Sequence, residues 1–244
     1  AIIGAGSAGI SIASRLLRSA PYLKNDIIMI DPSEDHYYQP LWTLVGGGAA
    51  KFEHSHRKQE SIIPKEVIWL KEAVTEFFPQ ENAVMTDAGT RVNYEYLVVS
   101  AGIDIRWDRV KGLEETLGKN GVSSNYSPNF VRNTWENIQK MKKGTAIFTQ
   151  PSTPIKCGGA PQKIMYLADD YFMKSGVNEN VNVRFISGTG SIFAVPKYAK
   201  ALMKVIERKG IDATFNIDLI EIDGNNKKAT FQHLETKEKT TVDF

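Results

Sequence analysis

Two groups of residues in this chain have types and spacings that could do chemistry. Gly4, Gly6 and Gly9 form a G-x-G-x-x-G run directly after Ile2-Ile3. On a strand, turn and helix the first glycine permits the turn, the second lets the backbone approach a pyrophosphate, and the third allows close helix-strand packing. The helix N-terminus would then present free N–H groups and a partial positive charge to the phosphates. Asp31 ends the next apolar run, Ile27-Ile28-Met29-Ile30, where an acid can hydrogen-bond ribose hydroxyls. Its charge would repel a 2′-phosphate, which disfavours NADP. A glycine-rich turn with no ligand is the bland alternative, and motif, context and acid together weigh against it. FAD and NAD both stay open at this step.

The second group centres on Cys157, the one cysteine of 244 residues. It stands in Pro154-Ile155-Lys156-Cys157-Gly158-Gly159-Ala160-Pro161, just before a helix in which Pro161 suits a first-turn position. Lys156 and the helix N-terminus would both favour the thiolate, and Gly158 and Gly159 leave room for a flat ring to approach the sulfur. A lone cysteine is more often a buried small hydrophobe. The setting reverses that expectation, and a single cysteine rules out a disulfide framework within these residues.

The elements that must position these residues follow from apolar spacing. Residues 1–31 form one βαβ unit, with Ile10, Ala13, Leu16 and Leu17 at helical spacing and Pro21 ending the helix. Residues 74–78, 83–86 and 91–94 read as a β-meander, followed by an apolar strand over 96–99 that runs into Ser100-Ala101-Gly102. The second half repeats the plan. A strand over 145–148 leads through the Cys157 loop to a helix with Ile164, Leu167, Ala168, Tyr171 and Phe172 on one face. A strand over 181–186, a helix over about 198–209 stopped by Gly210, and a meander over 215–222, 229–233 and 240–244 complete it.

The fold class expected is α/β, with two Rossmann-like FAD/NAD(P)-binding domains, each carrying a three-stranded β-meander and truncated at both ends. The first strand is short of its usual length, and the chain stops where the second fold's counterpart of strand 96–99 should begin. The boundaries read as 1–110 for the FAD-binding domain, 111–143 for a connecting segment, and 144–244 for a second domain bearing the cysteine. In that second domain residues 150–162 lack the G-x-G-x-x-G run, and Ser187-Gly188 stand where a ribose-binding acid would be. A nicotinamide site is not expected there. The first fold would hold FAD, leaving the second for other chemistry.

Composition excludes more than it selects. With 30 basic and 28 acidic residues the net charge of +2 gives no electrostatic grip on nucleic acid or anionic lipid. No apolar run approaches the roughly 18 residues of a membrane-spanning helix. His54 and His56 lack a third ligand and read as solvated loop residues, so no metal is expected.

His36-Tyr37-Tyr38-Gln39-Pro40-Leu41-Trp42-Thr43-Leu44-Val45-Gly46, together with the segment from Lys156 to Lys163, resembles the sulfide:quinone oxidoreductases of the mitochondrial type and their bacterial relatives. These are two-domain flavoproteins of the pyridine nucleotide-disulfide oxidoreductase superfamily. The similarity continues through Ile192-Phe193 and Lys197-Tyr198-Ala199 into the last meander. The resemblance implies FAD held by Gly4, Gly6, Ser7, Ala8, Gly9, Asp31, Pro32, Gln39, Val74, Ala101 and Gly102, with Cys157 as the catalytic, sulfur-carrying cysteine. It implies a second redox cysteine, a last FAD-binding segment and membrane-binding helices in a C-terminal part that these residues do not include. The activity implied is oxidation of hydrogen sulfide to a cysteine persulfide, with electrons passed through FAD to ubiquinone. The sulfane sulfur would leave on glutathione, sulfite or cyanide. The setting implied is peripheral, on the mitochondrial inner membrane or a bacterial plasma membrane. Tyr37, Tyr38 and Trp42 suit a flavin or quinone pocket wall or a core, and Lys163 suits an ordinary exposed first helical turn or a charge that tunes flavin or quinone. Two rivals compete: a type II NADH:quinone dehydrogenase, which needs a nucleotide site in the second fold, and a non-catalytic FAD-binding or redox-sensing protein.

Overall fold

A computed structural model describes all 244 residues. They divide into two compact units, one made of Ala1–Gln39 with Glu53–Asp104 and the other of Pro40–Phe52 with Ile105–Phe244.

In the first unit β1 (Ile2–Ile3) leads into α1 (Ser7–Ser19) and β2 (Ile27–Ile30). The small antiparallel pair β3 (Asp35–Tyr37) and β4 (His56–Lys58) follows, then β5 (Val67–Leu70). The meander is β6 (Val74–Phe78), β7 (Ala83–Thr86) and β8 (Arg91–Asn93), and β9 (Val98–Val99) returns to the first sheet. That sheet is parallel, in the order β5-β2-β1-β9. Alternation of side chains along β1 divides the core in two. Ile2 packs with Ala13, Met29 and Val67 on the side α1 covers, while Ile3 packs with Ile30, Val84 and Val92 of the meander. Helix and meander thus cover opposite faces of two central residues, which is why both are needed.

The second unit contains α2 (Trp42–Gly46), α3 (Leu113–Thr116), α4 (Val131–Lys140), β10 (Gly144–Gln150), α5 (Ala160–Lys174), β11 (Val181–Ser187), α6 (Pro196–Lys209) and β12 (Asp212–Thr214). The meander β13 (Ile217–Asp223), β14 (Lys228–His233) and β15 (Lys239–Asp243) ends it. Strands β10, β11 and β12 form a parallel sheet, with Gly144 opposite Val181 and Gln150 opposite Ser187. The division seen at Ile2 and Ile3 recurs here. Phe185 packs with Met165, Phe172 and Ile206, while the next residue, Ile186, packs with Ile222, Ala229 and Phe231 of the meander. Asp169 of α5, 6% exposed, is paired with Lys209 of α6. A buried carboxylate needs such a partner. Gly210 ends α6 in the left-handed region at φ +65°, as its place in the sequence predicts.

Several elements depart from the expected plan, the short strands β3, β4 and β12 among them. Strand β5 completes the first sheet although its short run carries no alternation that marks it. The segment Pro40–Phe52, read from the sequence inside a 1–110 domain, packs in the second unit. Its glycines explain why. A Cβ on Gly46 would lie 2.4 Å from Asn125 Oδ1, one on Gly47 2.5 Å from Leu167 Cδ1, and one on Gly48 2.5 Å from the Trp135 ring. Only a bare backbone fits against α4, α5 and the loop before α4. No helix is long and apolar enough to cross a membrane.

Candidate functional site

The turn between β1 and α1 is built by hydrogen bonds that converge on its backbone. Gly4, at φ +93°, donates its N–H to Ile30 O at 2.9 Å, and a Cβ there would meet Ser100 O at 2.4 Å. A Cβ on Gly9 would lie 1.9 Å from Gly4 O, so the third glycine is required by packing. Gly6 differs: it has ordinary φ of −71°, and a Cβ there would meet nothing within 4 Å. Gly6, Ser7 and Ala8 are exposed, and no side chain caps α1. Open space above uncapped N–H groups is what an incoming pyrophosphate needs.

Asp31 accepts the Ala5 N–H at 2.7 Å and the Ser33 N–H at 2.8 Å, one on each carboxylate oxygen. It therefore shapes the turn, and each oxygen keeps a further lone pair for a ribose hydroxyl. Three residues that sequence reasoning did not assign to the turn complete it. Gln59, buried, donates to Ala5 O at 2.6 Å. Ser100 Oγ donates toward Ile3 O at 2.8 Å and Gly4 O at 3.0 Å. Trp69 Nε1 donates to Asp31 O at 2.9 Å.

Of the other residues named from the sequence, Ala101 lies against Gly4, its Cα 3.0 Å from the position of a Cβ there, and the exposed Gly102 turns the chain away at φ +85°. Pro32 directly follows Asp31 and is exposed; Gln39 is half-buried. Val74 starts β6 and packs at the edge of the Ile3 and Ile30 cluster. Trp42 is buried in the second unit. His56 Nε2 pairs with Asp35 Oδ1 at 2.7 Å and its ring lies 5.1 Å from that of Tyr37.

Cys157 is exposed in the loop between β10 and α5. Its carbonyl accepts the Ala160 N–H at 3.1 Å, which feeds the chain into the helix, and Pro161 is the second helical residue. Gly159 is the helix N-cap, without a side-chain cap, and a Cβ there would lie 4.0 Å from Cys157 Sγ and 3.9 Å from Lys163 Cε. The sulfur, the helix start and the Lys163 side chain therefore meet around one point. A Cβ on Gly158 would lie 3.6 Å from the Phe193 ring. Partial desolvation pulls the Lys156 ammonium below the usual lysine range. Burial pushes the Tyr126 phenol up, and negative charge on Cys157 adds to the shift, while the facing backbone amide of Lys156 opposes it.

At the end of β10 the second fold is closed where the first is open. Asp218 of β13 accepts the Ser152 N–H at 2.8 Å and also its hydroxyl, and a Cβ on Gly188 would lie 2.2 Å from Asp218 Oδ1. The turn after β10 is thus tied to β13 by protein hydrogen bonds.

Residues 1–135 match the pyridine nucleotide-disulphide oxidoreductase family. The chain is 48% identical over 232 residues to a protein named mitochondrial sulfide:quinone oxidoreductase from Dictyostelium discoideum, covering 95% of this chain and 51% of that one. To the mouse protein of the same name it is 40% identical over 241 residues, covering 99% and 53%. It thus spans about half the length of these curated relatives. The solved sulfide:quinone oxidoreductase of the bacterium Aquifex aeolicus shares the fold, with a TM-score of 0.82 at 21% identity over 99% of this chain and 55% of that one. An open dinucleotide turn in one unit, a parallel sheet with meander repeated in the other, and a family match over more than half of the residues agree: the chain belongs to the pyridine nucleotide-disulphide oxidoreductase family.

Proposed function

We propose that this protein is a sulfide:quinone oxidoreductase that holds FAD on the turn between β1 and α1 and carries sulfur on Cys157. The observation that supports it most is the contrast between the two units: an open turn in one, and in the other an exposed cysteine beside a turn closed by Ser152 and Asp218. Gly6, Ser7 and Ala8 would present the N–H groups of α1 to the pyrophosphate, and Asp31 would accept a ribose hydroxyl while holding Ala5. Pro32, Gln39, Val74, Ala101 and Gly102 would line the remainder of the same cofactor. Bound FAD would supply two-electron acceptance from sulfur and delivery to a ubiquinone-type acceptor.

The remaining steps belong to sulfur. Hydrosulfide attacks the disulfide between Cys157 and a second cysteine; that bond breaks, one sulfur keeps the persulfide and the other leaves as a thiolate. Lys163 and the start of α5 lie around the same point as Cys157 Sγ, where a positive group would face sulfur-borne negative charge. A small nucleophile such as glutathione, sulfite or cyanide then takes the outer sulfur, breaking the sulfur-sulfur bond and leaving a thiolate. Two electrons leave the sulfide sulfur in each cycle. The relatives' names support a mitochondrial setting, and we extend it to peripheral attachment at the inner membrane.

Anaerobic addition of sulfide to the whole protein, followed through the flavin spectrum, tests this reading. Bleaching by sulfide and recovery with a ubiquinone analogue are expected. Bleaching by NADH with no response to sulfide would replace it with a type II NADH:quinone dehydrogenase.

A further inference from the structure

Tyr126 carries a polar group that the chemistry above leaves unused. Its phenol oxygen is fully buried, and no acceptor takes its proton. Ser124 Oγ accepts the Tyr126 N–H at 3.1 Å and so fixes the backbone behind the ring. The Lys156 amide faces the phenol oxygen, and the next residue, Cys157, is close enough for its charge to act on the phenol. An unpaired buried donor is costly, and native structures keep few of them without a use.

Sγ of Cys157 does not itself receive the phenol proton in this structure. A persulfide would add one sulfur beyond Sγ, and that outer sulfur is an anionic acceptor where the thiol has none. We propose that Tyr126 is the hydrogen-bond donor for the outer sulfur of a persulfide on Cys157. The assignment rests on Cys157 being the sulfur-carrying cysteine of the proposed function. The phenol keeps its proton throughout: it stabilises the persulfide anion and is not itself deprotonated. Lys156 precedes the cysteine in the chain, Lys163 Cε and the start of α5 lie around the same point as its sulfur, and these are common to every variant below.

The test compares two titrations of the whole, reduced protein, with and without a persulfide on Cys157. Inorganic disulfide, HS–S⁻, supplies the sulfur: the Cys157 thiolate attacks it, a new sulfur-sulfur bond forms, the reagent's own bond breaks, and hydrosulfide leaves. Alkylation rates against pH, read by mass spectrometry on the peptide containing Cys157, give a midpoint for the thiol and one for the persulfide. Tyr126→Phe is expected to raise the persulfide midpoint by about one pH unit, the worth of a hydrogen bond to an anion, and to leave the thiol midpoint in place. A persulfide midpoint that stays put, or a thiol midpoint that moves equally, would overturn the assignment. Should Tyr126→Phe fail to fold, 3-fluorotyrosine at position 126 offers a stronger donor of nearly the same shape. The persulfide midpoint is then expected to fall, and no change would again overturn the assignment. Neither titration needs flavin, so failure here is distinct from failure of sulfide to reduce the flavin.

Discussion

Gln59 donates its side-chain amide to the carbonyl of Ala5 at 2.6 Å, across 54 residues of chain. Asp31 accepts the N–H of the same residue at 2.7 Å, so Ala5 is gripped on both sides of its Cα. Replacing Gln59 with alanine leaves a buried carbonyl unpaired and is expected to lower stability by about 1–3 kcal/mol. Denaturant midpoints measure the loss. Weakened flavin retention should accompany it, and an unchanged midpoint would mean the bond contributes nothing.

The three glycines of the turn should separate folding from binding. Gly9→Ala drives a methyl into the Gly4 carbonyl, 1.9 Å away, and should reduce soluble, folded protein sharply. Gly6→Ala meets nothing within 4 Å at an ordinary φ, so its melting temperature without cofactor should hold while flavin affinity falls tenfold or more, roughly the cost of displacing a close phosphate contact. Equal loss of stability in both variants would contradict the division of roles.

Cys157→Ser should leave the flavin bound and suppress its reduction by sulfide by roughly a thousandfold or more, as removal of a nucleophile does elsewhere. Stopped-flow absorbance under argon gives both quantities. Undiminished reduction by sulfide would remove Cys157 from the chemistry.

NADH should fail as a reductant even at millimolar concentration, because Ser152, Asp218 and Gly188 occupy the second turn. Flavin bleaching by NADH would show that another surface binds it.

The carboxyl of Asp35 is held below the usual carboxylate range by the Lys58 ammonium and by His56. Its folded pKa lies beneath the unfolded one. Its contribution to stability is therefore complete above the unfolded value of about 4 and is lost as pH falls through the folded value. Carbon-13 titration of the carboxyl should give a midpoint below that of the unfolded chain, and Asp35→Asn should flatten that part of the acid limb.

Local signals carried much of this architecture. Gly4, Gly6 and Gly9 between a strand and a helix, and Asp31 at the next strand end, are set by contacts within one βαβ unit, where pattern and geometry coincide. The repeated meanders were legible from strand alternation and turn residues. Gln59 was not, because a polar residue in a short 3-10 turn shows its use only when residue 5 is placed beside it. Asp218 and Ser152, 66 residues apart, were hidden for the same reason. Gly46, Gly47 and Gly48 look like a loop in sequence and act as a close-packed surface in space. Tyr126 sits in a polar, turn-rich stretch, and only its buried hydroxyl sets it apart.

The glycine surface of α2 also bears on how the protein is made. Gly47 packs against Leu167, and about 120 residues lie between them. At roughly 5–20 residues per second of translation, Pro40–Phe52 leaves the ribosome some 6 to 24 s before α5 exists to receive it. The nascent first unit must therefore close around a segment it does not keep, with Trp42 and Val45 exposed in the meantime. A molecular chaperone that recognises short apolar stretches would find one there, and slowed synthesis between residues 52 and 160 should increase aggregation more than the same delay placed later in the chain.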